Sequence, residues 1–265
     1  MVFTTEMLWI FIAILVVCLI GFKKYVWFIS LGYGFSISIV GIMLLFLFDM
    51  NPALLISSLI LILYGLRLGG FLAYRELKSS TYNNKMKTEI KDGSTMKLPI
   101  KIAMWITCAI LYILMTAPVI YRFINYDEMD TCFIIGMIIA VLGIALEAAS
   151  DLQKNSLKKK NPNRFCDTGL FKIVRCPNYL GELLIWTGVF ISGFTTLTGI
   201  GQWLLSIIGY LGIVYVMFSG ARRLELRQDR TYGKDKEYQK YVTTTPILIP
   251  FIPLYSVKEH KWLVG

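Results

Sequence analysis

The chain has 265 residues, of which 56% are hydrophobic and 14% aromatic, and its formal net charge is +10. With a mean hydropathy of +0.61, that composition excludes an ordinary soluble domain and implies an all-α integral membrane protein. The basic residues are scattered between apolar runs without a recognisable binding module, which excludes a nucleic-acid role.

A membrane-crossing helix needs about 20 apolar residues. Seven stretches, 6–22, 25–48, 52–74, 99–121, 131–149, 180–199 and 202–220, meet or approach that length. In the first, Glu6 stands where a secretory signal would carry basic residues, so the segment is expected to remain as an uncleaved anchor. The second contains Gly32-x-Gly34, the opening of a dinucleotide fingerprint. It sits mid-span with no strand before it, so a Rossmann reading fails. The same segment holds no acid before Asp49. Segment three carries Gly65-x-x-x-Gly69, a spacing that predicts close helix packing. It also carries Arg67, about 10 Å inside the span at a rise of about 1.5 Å per residue. An Arg at mid-bilayer costs about 2.5–3.5 kcal/mol and is a functional candidate, whereas at this depth it can also snorkel. Both readings stay open. Tyr64 and Tyr74, at i−3 and i+7, share its face and predict a polar wall in an apolar cavity.

Segment five leads into Glu147, Ser150, Asp151, Lys154 and Lys158, one stripe in steps of three and four. Its carboxylates suit ribose hydroxyls and its amines suit phosphates; the plain alternative is a solvated helix end with internal ion pairs. Residues 174–182 then read VRCPNYLGE. Pro177 suits a first helical turn, and Asn178, Glu182 and Trp186 follow on one face. The helix start offers backbone N–H groups to an anion, with Arg175 expected just outside it. A capped helix with its carboxylate favoured by the dipole would explain Glu182 alone.

Of the 27 basic residues, all but Arg67 and Arg122 fall on connections of one side, including Lys85, Lys87 and Lys91 in the third. The positive-inside rule then predicts a single membrane domain with its N-terminus out, its C-terminus in, and any charged soluble ligand arriving from the cytoplasm. Cys18, Cys108, Cys132, Cys166 and Cys176 show neither metal spacing nor obvious pairing, and free thiols are expected. With His260 the one histidine, a His-based metal site or triad is excluded.

The ordered set S150-D-x-Q-K, G169-L-F, R175-C-P-N-Y-L-G-E, Y238-Q-K-Y and I249-P-F-I-P resembles the C-terminal domain of the steroid 5α-reductase family, nearest its bacterial branch. The resemblance is strong over about 140–255 and weaker over 60–80. It implies a seven-helix fold in a bacterial inner membrane, with NADPH entering from the cytoplasm. It also implies hydride transfer to an enone in a hydrophobic, steroid- or isoprenoid-like substrate drawn from the lipid bilayer. Asn178 and Glu182 fall on the family's N-x-x-G-E motif, Asp151 on its S-D aspartate, and Lys158 on a phosphate-binding position. Arg222 or Arg223 matches a C-terminal basic contact. With Glu147, Arg175, Tyr179, Tyr238 and Tyr241, these are the expected cofactor-binding residues. Arg67 falls near the family's carbonyl-binding Tyr, with Tyr64 a turn away, so Arg67, Tyr64 and Glu182 are the catalytic expectations. Glu182 would orient the nicotinamide or carry a raised pKa. The family's second-segment Glu has no counterpart here.

R-x-P-N-Y-L-G is also similar to the R-H-P-x-Y-x-G motif of isoprenylcysteine and phospholipid methyltransferases, which bind S-adenosylmethionine; here Cys176 replaces the His. Glu182 and S-D-x-Q-K favour the reductase. The missing acid leaves a third reading, a non-catalytic membrane scaffold.

Overall fold

The computed structural model describes residues 2–78, 96–126 and 128–264, so Lys85, Lys87 and Lys91 lie outside the described residues. Among these, the chain forms eight α-helices and no strand. The helices are α1 (Thr5–Cys18), α2 (Leu31–Leu47), α3 (Pro52–Lys78), α4 (Leu98–Asn125), α5 (Thr131–Lys160), α6 (Pro177–Ser192), α7 (Gly199–Tyr232) and α8 (Lys236–Thr244). Six spans are long and apolar enough to cross a membrane: Thr5–Phe22, Tyr25–Leu47, Pro52–Glu76, Leu98–Asn125, Thr131–Lys160 and Gly199–Tyr232. The seventh expected segment is α6, which at 16 residues is shorter than a full span.

Two boundaries moved outward for a physical reason. α5 runs to Lys160 and α7 to Tyr232, through Lys, Gln, Glu, Arg and Leu, all good helix formers. Segment two instead begins as a 3-10 turn, Tyr25–Phe28, before α2.

Contacts divide the chain into two compact units, one of 1–135 with 189–209 and one of 136–188 with 210–265. In the first, α2 and α3 meet on glycine. A Cβ at Gly65 would stand 2.3 Å from the Gly34 carbonyl oxygen, and one at Gly34 would stand 2.6 Å from the Gly69 nitrogen, so the G-x-x-x-G spacing does serve close packing. Beside this seam the hydroxyls of Tyr33 and Tyr64 lie 2.8 Å apart. The Tyr112 ring packs at a tilt against Tyr33, and its hydroxyl donates to the Phe28 carbonyl at 2.7 Å.

Arg122, fully buried, fastens the far end of α4. Its Nε donates to Ser192 O (2.8 Å), Nη1 to Glu128 O (2.6 Å), and Nη2 to Asp130 Oδ2 (2.8 Å) and Thr195 Oγ1 (3.1 Å). A buried guanidinium is tolerable only when so fully bonded. In the second unit, α5 and α6 approach on small residues: a Cβ at Gly143 would lie 2.7 Å from Gly181 O, and one at Gly188 would lie 2.3 Å from Gly136 O.

Candidate active site

The polar cluster of the second unit grows from three pieces of chain. α5 carries its stripe outward past Glu147, α6 starts at Pro177, and α7 continues into Arg222–Tyr232. Glu147 is buried beneath the α6 start, where a Cβ on Gly181 would lie 2.8 Å from the Glu147 Cβ; only glycine lets the carboxylate-bearing turn pass. Glu182, also buried, accepts a hydrogen bond from Trp186 Nε1 at 3.1 Å, one turn along the same face. Asp151 and Asn178 are half-buried. Tyr179 packs its ring over α7, within 3.3–3.4 Å of where a Gly220 Cβ would stand.

Arg175 stands two residues before α6, just outside the helix start as expected, and it is buried there. Its Nη2 pairs with Glu225 Oε1 at 2.9 Å and donates to the Tyr255 carbonyl. Glu225 Oε2 accepts from Val257 N at 2.9 Å, while the backbone N–H groups of Arg175 and Cys176 bond to Pro246 O and Ile247 O. The helix start is thus built against residues 246–257.

Other expected cofactor residues also have structural duties. Lys158 Nζ donates to the carbonyls of Pro162 and Arg164 and to Tyr232 Oη at 2.9 Å. Arg222 donates to the carbonyls of Lys258 (3.0 Å) and Leu263 (3.2 Å), whereas Arg223 is exposed. Tyr238 donates to Asp229 Oδ1 at 2.8 Å and Tyr241 to Phe171 O at 2.7 Å, its ring stacked on Phe165. Burial holds both phenols above their ordinary range, and the Asp229 bond pushes Tyr238 further the same way.

Three donors are left at the α6 start. Arg175 Nε is buried with no acceptor, and Lys154 and the Asn178 carboxamide make no hydrogen bond or ion pair among the described residues. Lys154 acts electrostatically on the neighbouring Cys176 thiol. Burial pushes that thiol up to about 12, against the opposing pull of Arg175 and Lys154. One unsatisfied buried donor, with two part-buried donors that bond to nothing among the described residues, beside a helix N-terminus suits an anionic group.

Arg67 and Tyr64 belong to the first unit. Both stand on α3, Arg67 half-buried and Tyr64 fully buried. Sequence reasoning missed the partner of Tyr64, Tyr33 on α2, and missed Glu76, a buried carboxylate that takes Lys24 Nζ at 2.6 Å and Trp27 Nε1 at 3.3 Å. It also missed Glu225, 50 residues from Arg175. None of these pairs has a local spacing that announces it. Among the described residues there is no group of His, Cys, Asp or Glu that could hold a metal ion.

Curated relatives point the same way as the motifs. The chain is 26% identical over 123 residues to the steroid 5-alpha-reductase DET2 of Arabidopsis thaliana, covering 45% of this chain and 42% of that protein. It is 25% identical over 123 residues to the 3-oxo-5-alpha-steroid 4-dehydrogenase 1 of Rattus norvegicus, and 28% over 124 residues to that of Mus musculus, covering 46% of this chain and 42% and 43% of the relatives. The matches thus span about two fifths of the relatives' length. No solved structure matches the chain. A family model matches residues 3–245, and the chain accordingly belongs to the steroid 5-alpha-reductase-like family described as protein of unknown function (DUF1295).

Proposed function

We propose that the protein is a membrane-embedded, NADPH-dependent reductase of a C=C bond conjugated to a carbonyl, acting on a hydrophobic steroid- or isoprenoid-like molecule from the bilayer. The observation that carries this reading is the trio of unmatched donors, Arg175 Nε, Lys154 and Asn178, set beside the buried carboxylates Glu147 and Glu182. Donors of that kind fit the phosphates of a dinucleotide, and the acids with Asp151 fit ribose hydroxyls and a carboxamide. The names of the curated relatives supply the reaction class.

When bound, a reduced nicotinamide supplies the hydride. Lys154, Arg175 and Asn178 hold the phosphates; Glu147 and Asp151 accept from the ribose; Glu182, fixed by Trp186, orients the carboxamide. Burial excludes water and strengthens every dipole directed at the developing enolate oxygen. By the family resemblance, Tyr64 or Arg67 on the same helix is the candidate donor to that oxygen. Lys158, Arg222, Tyr238 and Tyr241 act by holding this architecture in place.

Thermal unfolding in detergent with NADPH, NADH and S-adenosylmethionine tests the reading. A ligand at 100 times its Kd stabilises by about 2.7 kcal/mol, so NADPH should raise the midpoint and Lys154→Ala should abolish the rise. A shift with S-adenosylmethionine alone would sink the reductase and revive the methyltransferase reading, whose motif the R175-C-P-N-Y-L-G run also resembles. No shift with any of the three would leave the scaffold. Unchanged turnover in Glu182→Gln would remove Glu182 from the site.

A further inference from the structure

Residues 246–264, after α8, fold back along α7 and flank an open groove with a cavity volume of about 380 Å³. Leu211, Tyr215 and Phe218 form one wall, and Val257, Trp262 and Leu263 another. Its size lies within the range of about 300–1,000 Å³ usual for small-molecule pockets. The α7 wall belongs to a candidate membrane span. Tyr215 precedes Arg222, the first basic residue of α7, by two turns, which at about 1.5 Å per residue sets it about 10 Å deeper in the apolar run.

The strap reaches that depth. Tyr215 Oη donates to Trp262 O at 3.0 Å and accepts from Val264 N at 3.2 Å. Non-helical backbone inside a leaflet persists only where its polar groups are satisfied by protein. Arg222 does this for Lys258 O and Leu263 O, and Glu225 for Val257 N. The outward side chains are apolar, as at a lipid interface: Phe251 is 98% exposed and Val264 74%. Phe251 also holds a left-handed φ of 66°, strained for an aromatic residue, and that turn presents it at the tip of the strap. Leaving such a ring in water forgoes the stabilisation its burial would bring. The charge balance at the rim is positive: Arg222 bonds only to carbonyls and Lys261 has no ion pair among the described residues, against the one strap carboxylate, Glu259, while Lys258 is paired with Asp229.

We infer that the strap sits in the membrane leaflet and that the cavity between it and α7 binds one acyl chain of an anionic phospholipid, whose headgroup meets Arg222 and Lys261. The surrounding lipid supplies the chain, and the cationic rim selects the headgroup. This inference is independent of the dinucleotide reading.

The test uses the full-length protein in nanodiscs containing phosphatidylglycerol with a photoreactive diazirine in its acyl chain, followed by mapping of the labelled peptides. Labelling is expected on both 211–218 and 254–263, and unlabelled phosphatidylglycerol should compete for it better than phosphatidylcholine. Val214→Trp, which fills the cavity, should cut it about tenfold, corresponding to a loss of about 1.4 kcal/mol. Labelling of the exposed α5 residues Ile134, Ile138 and Val141 should not change. Lys261→Glu keeps the cavity and should remove the preference over phosphatidylcholine. Labelling of 211–218 no stronger than that of α5, or absent from 254–263, overturns the cavity site; equal competition by the two lipids overturns the anionic ligand.

Discussion

The Arg175–Glu225 pair gives the sharpest test of how the α6 start is built. Both side chains are nearly solvent-free, at 2% and 3% exposure, and their contact is 2.9 Å. Glu225→Met leaves a buried guanidinium without its countercharge, at about 3–5 kcal/mol. It also strips the Val257 N–H of its acceptor, a further cost of about 1–3 kcal/mol for an unsatisfied buried donor. The two losses share one side chain and do not fully add, so a net cost of about 4 kcal/mol is expected. At about 2–4 °C per kcal/mol for a chain of this size, the unfolding midpoint should drop about 10 °C. Arg175→Met should cost nearly as much, because it strands the carboxylate instead. Replacing both with Met removes both charges, and such swaps are often close to neutral; the double variant should be more stable than either single one. Tryptophan-fluorescence melts in detergent, without ligand, read all four proteins. If the double variant loses the sum of the two single losses, the residues are uncoupled and the account of the helix start fails. If Arg175→Met melts like the parent and loses only its NADPH shift, Arg175 serves the ligand rather than the fold.

Other predictions concern groups whose surroundings are equally specific. Cys176, pushed up to about 12 chiefly by burial, presents roughly one thiolate in ten thousand at pH 8. Iodoacetamide should therefore leave it unmodified in the folded protein and label it after denaturation, and fast native labelling in a peptide digest would contradict its burial. At Asp130 burial raises the carboxyl, but bonds from Thr195, Arg122 and the Phe133 N–H together outweigh it and hold the folded group below the usual carboxylate range. The unfolded state then binds the proton more readily, so the stabilisation is present above the unfolded value of about 3.9 and is lost as pH falls through the folded one. Asp130→Asn should flatten the acid limb of the melting profile, and an unchanged limb would refute this. Tyr33→Phe, which removes the hydroxyl paired with Tyr64, should lower kcat with little change in KM; a change confined to KM would deny it a positioning role.

Much of the fold could be read in advance because the bilayer reduces it to apolar length. All seven runs became helices, and α6 begins at Pro177, where the missing N–H costs nothing. The α5 and α7 extensions were harder, since topology rules treat Lys159 or Arg230 as loop charges while the backbone simply continues in good helix formers. Within the site, the stripe from Glu147 to Lys158 follows helical geometry and could be seen in the spacing. Which side chains have spare donors could not. Lys158 is taken up by carbonyls a few residues on and Arg175 Nη2 by Glu225, whereas Arg175 Nε, Lys154 and the Asn178 carboxamide have no such partners. Only the packing of distant chain separates these cases.

The missing acid of segment two looks different once the pairing within the first unit is known. A carboxylate on α2 would have to be buried against the glycine seam of α3, where an ion without a partner costs several kcal/mol. The chain puts Tyr33 there, with 7% exposure, and its hydroxyl reaches Tyr64 at 2.8 Å. A phenol carries no charge and makes a far smaller demand on its surroundings, so the seam can close as tightly as Gly34, Gly65 and Gly69 allow. Whichever hydroxyl donates, the contact fixes the orientation of Tyr64 from the same segment that supplies the acid in the resembled family. The lost acid is therefore weak grounds for a decayed site: segment two still supplies a polar partner to segment three, in a form that this close helix packing can bury.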